Sequence, residues 1–67
     1  MTQFELHTAA LVLFGPKLPA STYIGKLAAA LDMSFSGVEK WWYGTRKRIP
    51  GSVGVALRLL IEKAATS

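Results

Sequence analysis

The sequence predicts an all-α fold: one small four-helix domain over residues 1–67, organised around two short helices that meet at a tight turn. Three observations predict it. From Ile24 to Tyr43, Leu27, Leu31, Met33, Val38 and Trp41 are spaced so that two helices bury one face in a common core. Small Ala28 lies where those helices cross, and Asp32 lies at the break. Gly15-Pro16, Pro19, Gly44 and Pro50-Gly51 punctuate the chain into helix-length segments.

The first helix is expected from Thr2 or Gln3 to Phe14. Thr2 is a suitable N-cap, and Glu5 three residues later has capping-box spacing. Phe4, Leu11 and Phe14, with Ala10 beside them, form the stripe expected to face the core. Leu6 and Leu13 fall to one side and are expected to touch another chain. Gly15 suits a left-handed C-terminal position, and Pro16 stops the helix. His7, the sole histidine, is expected at the surface or partly packed.

The second helix is expected to be capped by Ser21 or Thr22, with Tyr23 to Leu31 inside it and Leu27, Ala28 and Leu31 pointing inward. Gly25 costs this helix about 1 kcal/mol relative to Ala, acceptable for close packing or for close approach to a phosphate. Asp32 takes the turn, where the backbone is commonly left-handed, a conformation Asp tolerates better than most residues.

The third helix starts at Ser34 or Phe35, with Ser34 able to cap it. Val38 and Trp41 face the core, leaving Phe35, Ser36, Gly37, Glu39, Lys40 and Tyr43 on the outer faces. Gly44 ends it, and Thr45-Arg46-Lys47-Arg48 forms a basic loop. The last helix is expected from Val53 to about Ala65, capped by Ser52, with Val53, Ala56, Leu57, Leu60 and Ala64 in one stripe. Val55, Leu59 and Ile61 lie off that stripe. A helix apolar on more than one side is normally buried on more than one side, so these three are expected at a homodimer interface.

Composition agrees with that expectation. The hydrophobic fraction is 51% in 67 residues, more than one small core hides. Charge is one-sided. Residues 1–33 hold two cations against two acids, whereas residues 34–67 hold six against two. The whole excess of +4 follows the turn, which points to a polyanion, nucleic acid first. There is no cysteine, which removes disulfides, thiolate metal sites and a Cys nucleophile. With one His and four acids, no catalytic or metal cluster is visible, so neither an enzyme, a cofactor nor a small-molecule substrate is expected. The longest apolar run, Ala9 to Phe14, is far short of the roughly 20 residues of a bilayer span. No basic start precedes it as in a secretory signal. A cytoplasmic protein without a membrane partner is expected.

The segment KLAAALDMSFSGVEKWWYGTRKRIP, followed by an apolar helix, resembles the helix-turn-helix of small phage-repressor and Cro-like regulators of bacteria and their phages. GTRKRIP matches the basic loop that follows the reading helix in one bacterial branch. The resemblance covers roughly residues 20–62. It implies a lambda-repressor-like helical domain that dimerises on a palindromic operator in double-stranded DNA and regulates transcription, with repression as the expected output. Carried over by position, Phe35, Ser36, Gly37, Glu39 and Lys40 are the base readers, with the third helix in the major groove. Ser36 suits either base type, Lys40 suits guanine or a phosphate, and Phe35 suits a thymine methyl or the core under the turn. Gly37 lets the helix sit deep in the groove or relieves crowding against the second helix. Glu39 is expected to pair near Lys40 or with Arg46 rather than to accept from cytosine.

Ser34, Trp42, Tyr43, Thr45, Arg46, Lys47, Arg48 and Lys26 are the backbone contacts. Trp42 either packs beside the last helix or reaches a phosphate with its indole N–H. Two other classes fit the same residues. One is a protein-interaction module, an antitoxin or phage-encoded inhibitor, whose basic face meets an acidic protein. The other is an RNA binder that stacks bases on Trp42 and Tyr43.

Overall fold

A capping box starts the chain's first helix. The Thr2 hydroxyl accepts from the Glu5 N–H at 3.1 Å, and the Glu5 carboxylate accepts from the Thr2 N–H at 3.0 Å. The computed structural model describes residues 1–66 and contains four helices: α1 (Gln3–Phe14), α2 (Ala20–Leu31), α3 (Phe35–Trp42) and α4 (Gly51–Thr66). No strand occurs among the described residues, so the fold is all-α. Nor is any helix among them long and apolar enough to cross a membrane.

Every helix contributes to one apolar cluster. Leu6, Ile24, Leu27, Val38 and Leu57 are fully enclosed at its centre, each worth about 1.5–3 kcal/mol by burial. Ala9 and Ala10 bring α1 close, Trp41 and Trp42 close the α3 side, and Ile49 and Val53 close the end near α4. Packing runs mainly α2 on α3 and α1 on α4.

The α1 face differs from the sequence expectation. Leu6, Ala9 and Ala10 are buried and Leu13 packs against them, whereas Phe4 is 79% exposed and Leu11 is exposed. Small alanines let α1 approach its neighbours more closely than a stripe of phenylalanines permits. Leu6 and Leu13 are therefore core-facing and not a contact for another chain. Gly15 ends α1 with φ 86° and ψ 168°, positive but outside the left-handed helical region. Lys17 also has positive φ, 68°. The connector is pinned by the Tyr23 hydroxyl, which donates to the Gly15 carbonyl and accepts from the Leu18 N–H.

Two helix starts lie earlier than the expected side-chain caps. The N-cap of α2 is Pro19, without a side-chain bond, and its carbonyl accepts from the Thr22 and Tyr23 N–H groups. Ser21 and Thr22 thus sit in the first turn. In α4, likewise, the Pro50 carbonyl accepts from the Val53 N–H, and Ser52 lies inside the helix. Proline's fixed φ pre-sets the backbone at the start of each helix.

Between α2 and α3 the chain turns as expected. Asp32 is left-handed, φ 55° and ψ 48°, and the Met33 N–H returns to the Ala28 carbonyl at 2.9 Å. The Ser34 hydroxyl caps α3 by accepting from the Gly37 N–H at 3.2 Å, worth about 1 kcal/mol. Met33, expected in the core, is exposed, because the left-handed step at Asp32 turns it outward.

Two outcomes are expected. The Glu5 carboxyl titrates below its ordinary 4.5, chiefly because the Thr2 backbone N–H bonds its charged form, with the Thr2 hydroxyl adding to this. Its stabilisation is present above 4.5 and lost as pH falls through the lowered value. NMR titration should show Thr2→Ala moving the Glu5 midpoint back toward 4.5. Separately, a Cβ at Gly25 meets only Phe35 Cε2, at an ordinary 3.9 Å. Gly25→Ala is therefore expected to stabilise the protein by about 1 kcal/mol and raise Tm by about 4–8 °C in a thermal melt.

Candidate nucleic-acid interface

Eight residues make α3 about 12 Å long. In so short a helix the last four carbonyls, which lack i+4 partners within the helix, are half of the total. All four are bonded. The Glu39 carbonyl accepts from the Tyr43 N–H at 3.0 Å, and that of Trp41 from the Gly44 N–H at 3.3 Å. The Lys40 carbonyl accepts from the Arg46 N–H at 3.1 Å. The Trp42 carbonyl takes two bonds from α1: Gln3 Nε2 at 2.8 Å and His7 Nε2 at 2.9 Å. A carbonyl only accepts, so the His7 ring carries a proton on Nε2.

The His7 ring also lies on the Trp42 indole, with centroids 3.9 Å apart and planes 20° apart. Tyr23 stacks with the same indole at 5.5 Å. Trp42 is only 8% exposed. This corrects the expectation that its ring offers a stacking platform to RNA bases, since His7 and Tyr23 already hold the ring in the core. Gly44 follows with φ 77°, and an added Cβ there would meet Gln3 Oε1 at 2.9 Å. Positive φ and the Gln3 bridge together favour glycine.

The loop Thr45–Arg48 is exposed throughout and tied at both ends. The Arg46 bond to Lys40 folds its start back beside α3, and buried Ile49 anchors its end in the core. The Arg46 N–H therefore lies beside Lys40 at the end of α3, and Lys47 and Arg48 follow in the same exposed loop.

Of the expected readers, Phe35 is 43% exposed, and Ser36 and Lys40 are exposed. The edge of the Phe35 ring lies over Gly25. Gly25 therefore packs under an aromatic ring, with no need of glycine for space. Gly37 is half-buried, and a Cβ there would lie 3.1 Å from Ser34 Oγ. Its missing side chain leaves room for the Ser34 cap, a closer neighbour than the second helix. Glu39 is half-buried and makes no ion pair with Lys40 or Arg46. Ser34, Tyr43 and Thr45 are exposed as expected. Lys26 is exposed too, but its ammonium lies 5.7 Å from the centre of the Phe14 ring. It leans toward α1 and is not gathered with the loop cations.

Sequence reasoning missed Gln3, His7 and Tyr23 as supports of α3. Their partners lie up to 39 residues away, and no local spacing reveals such contacts. Among the described residues, no group of three His, Cys, Asp or Glu side chains is placed to hold a metal ion.

The shared acceptor gives a testable coupling. Gln3→Ala is expected to cost about 1 kcal/mol in denaturant unfolding, and His7→Ala more, because stacking is lost as well. The double variant should cost more than the sum, since it alone leaves the Trp42 carbonyl without a partner.

Searches of family models, curated proteins and solved structures found no match to this chain.

Proposed function

We propose that this chain is a sequence-specific DNA-binding regulator, a repressor acting as a homodimer, with α2 and α3 as a lambda-repressor-like helix-turn-helix and α3 in the major groove. The observation that carries the reading is the Arg46–Lys40 backbone bond, 3.1 Å. On this reading it sets the exposed loop of Arg46, Lys47 and Arg48 beside the exposed side of a capped, amphipathic helix. Ser36 and Lys40 then face base edges, with Phe35 placed for a thymine methyl. Arg46, Lys47 and Arg48 lie along phosphates, with Ser34, Tyr43 and Thr45 as polar contacts beside them. Cytoplasmic action on a palindromic operator follows from the same reading.

An RNA-binding reading is weaker, because one of its two stacking rings is enclosed. A docking module for an acidic protein needs the loop cations but gives no role to Ser36 or Phe35.

Selection of duplexes from a random pool, followed by fluorescence anisotropy on the recovered sequence, tests the proposal. A palindrome is expected. Three phosphate-facing cations per chain give a dimer about six phosphate contacts at most, so log K should fall with log salt with a slope approaching about −5. Arg48→Ala should weaken all duplexes alike and flatten that slope. Lys40→Ala should cost about 1–3 kcal/mol on the selected site and relax preference at one base position. No binding at micromolar protein, or binding indifferent to salt, rejects the reading.

A further inference from the structure

The residues that lead into α3 and form its first turn, Met33 to Val38, include no Arg, Lys, Asn or Gln. Those are the side chains that pair in bidentate fashion with guanine or adenine. The polar groups that are present discriminate little. The Ser34 hydroxyl is committed to the Gly37 N–H at 3.2 Å, and Ser36 suits either base type. Lys40, the first cation of α3, comes more than a turn after Phe35.

What this end of α3 exposes instead is carbon. Phe35 is 43% exposed and Met33 37%. Both side chains are seated. The edge of the Phe35 ring lies over Gly25 of α2, and the Met33 methyl lies 3.9 Å from where a Cβ at Gly37 would stand. Successive helical residues are about 100° apart around the axis. Ser36 therefore lies between Phe35 on one side and Gly37, with Met33 against it, on the other. A hydroxyl flanked by an aromatic ring and a thioether methyl leads the helix. The left-handed step at Asp32 brings Met33 to that edge.

We propose that Met33 and Phe35 read the C5-methyl group of pyrimidines, so that 5-methylcytosine is recognised as thymine is. The inference rests on the DNA-binding reading above and names what the front of α3 selects. Apolar carbon gains nothing from the donors and acceptors of base edges. In the major groove the one apolar group on those edges is the C5 methyl. Thymine carries it, and cytosine acquires it on methylation. Side chains already seated on Gly25 and Gly37 lose little freedom in meeting it. Discrimination at this end of α3 is then between methylated and unmethylated pyrimidine, and cytosine methylation becomes a mark that the protein registers.

The test measures Kd of the full chain by anisotropy on the selected duplex and on copies with one base changed. Deoxyuridine in place of each thymine in turn removes a methyl and nothing else. At contacted positions Kd should rise about fourfold, the effect of one buried carbon. At those same positions 5-methylcytosine should bind about fourfold tighter than cytosine. Phe35→Ala and Met33→Ala should each abolish the preference at a position of its own. The salt slope should keep its wild-type value in both, because no cation has changed. Both side chains are exposed, so helical circular dichroism should be unchanged. If one variant nevertheless unfolds, the other decides alone.

Salt-dependent binding in which every methyl change moves Kd by less than about twofold overturns this inference and leaves the regulator standing. A methyl preference that survives at every position in either folded variant overturns it too, since that residue is then no reader and the methyl acts through the stiffness of the duplex. No duplex bound at micromolar protein sinks the regulator and this inference together.

Discussion

The Trp42 carbonyl is where α1 takes hold of α3, and much of the arrangement depends on that grip. Half the carbonyls of α3 have no partner from helix geometry alone. A helix this short does not stand without tertiary support. Three of the four end carbonyls are satisfied by the chain folding back on itself, at Tyr43, Gly44 and Arg46. The fourth is satisfied from across the molecule, by Gln3 and His7. The same His7 ring stacks on the Trp42 indole. One residue of α1 thereby both closes a hydrogen-bond deficit and fills core volume.

Two further ties hold the cationic loop that follows α3. Three consecutive positive side chains repel one another over less than a Debye length of about 8 Å. Left alone, they favour an extended, mobile loop. Here the start is folded back on Lys40 and the end is held by Ile49. The cationic side chains stay in solvent while the loop backbone is tied at both ends. An anchored cationic loop loses less entropy on meeting a polyanion than a free one.

Local chemistry is legible in the sequence, and long-range packing is not. The Thr2–Glu5 box, left-handed Asp32, the Ser34 cap, and Val38 and Trp41 as anchors all rest on spacings of four residues or fewer. Each stands in the structure as expected. Helix α1 misleads in part, because apolar residues lie on several sides of it: of the expected stripe Ala10 is buried and Phe14 packs against the core, whereas Phe4 and Leu11 stay exposed and Leu6, Ala9 and Leu13 take the remaining places. Helices α2 and α4 begin before any hydroxyl cap, because Pro19 and Pro50 set their first turns by backbone geometry. In the candidate site, the exposed cations and Ser36 are readable from type and position. Trp42 is not, because adjacent tryptophans on one short helix look like one inward and one outward ring. His7 and Tyr23, distant in sequence, make a second inward place.

Helix α1 is consequently the joint between two faces of different character. Gln3 and His7 hold the end of α3, while Phe4, Thr8 and Val12, a fraction of a turn away, line a groove with α4. Both sets belong to one rigid twelve-residue helix. One helix thus carries both a polar clamp on the end of α3 and an apolar edge beside α4.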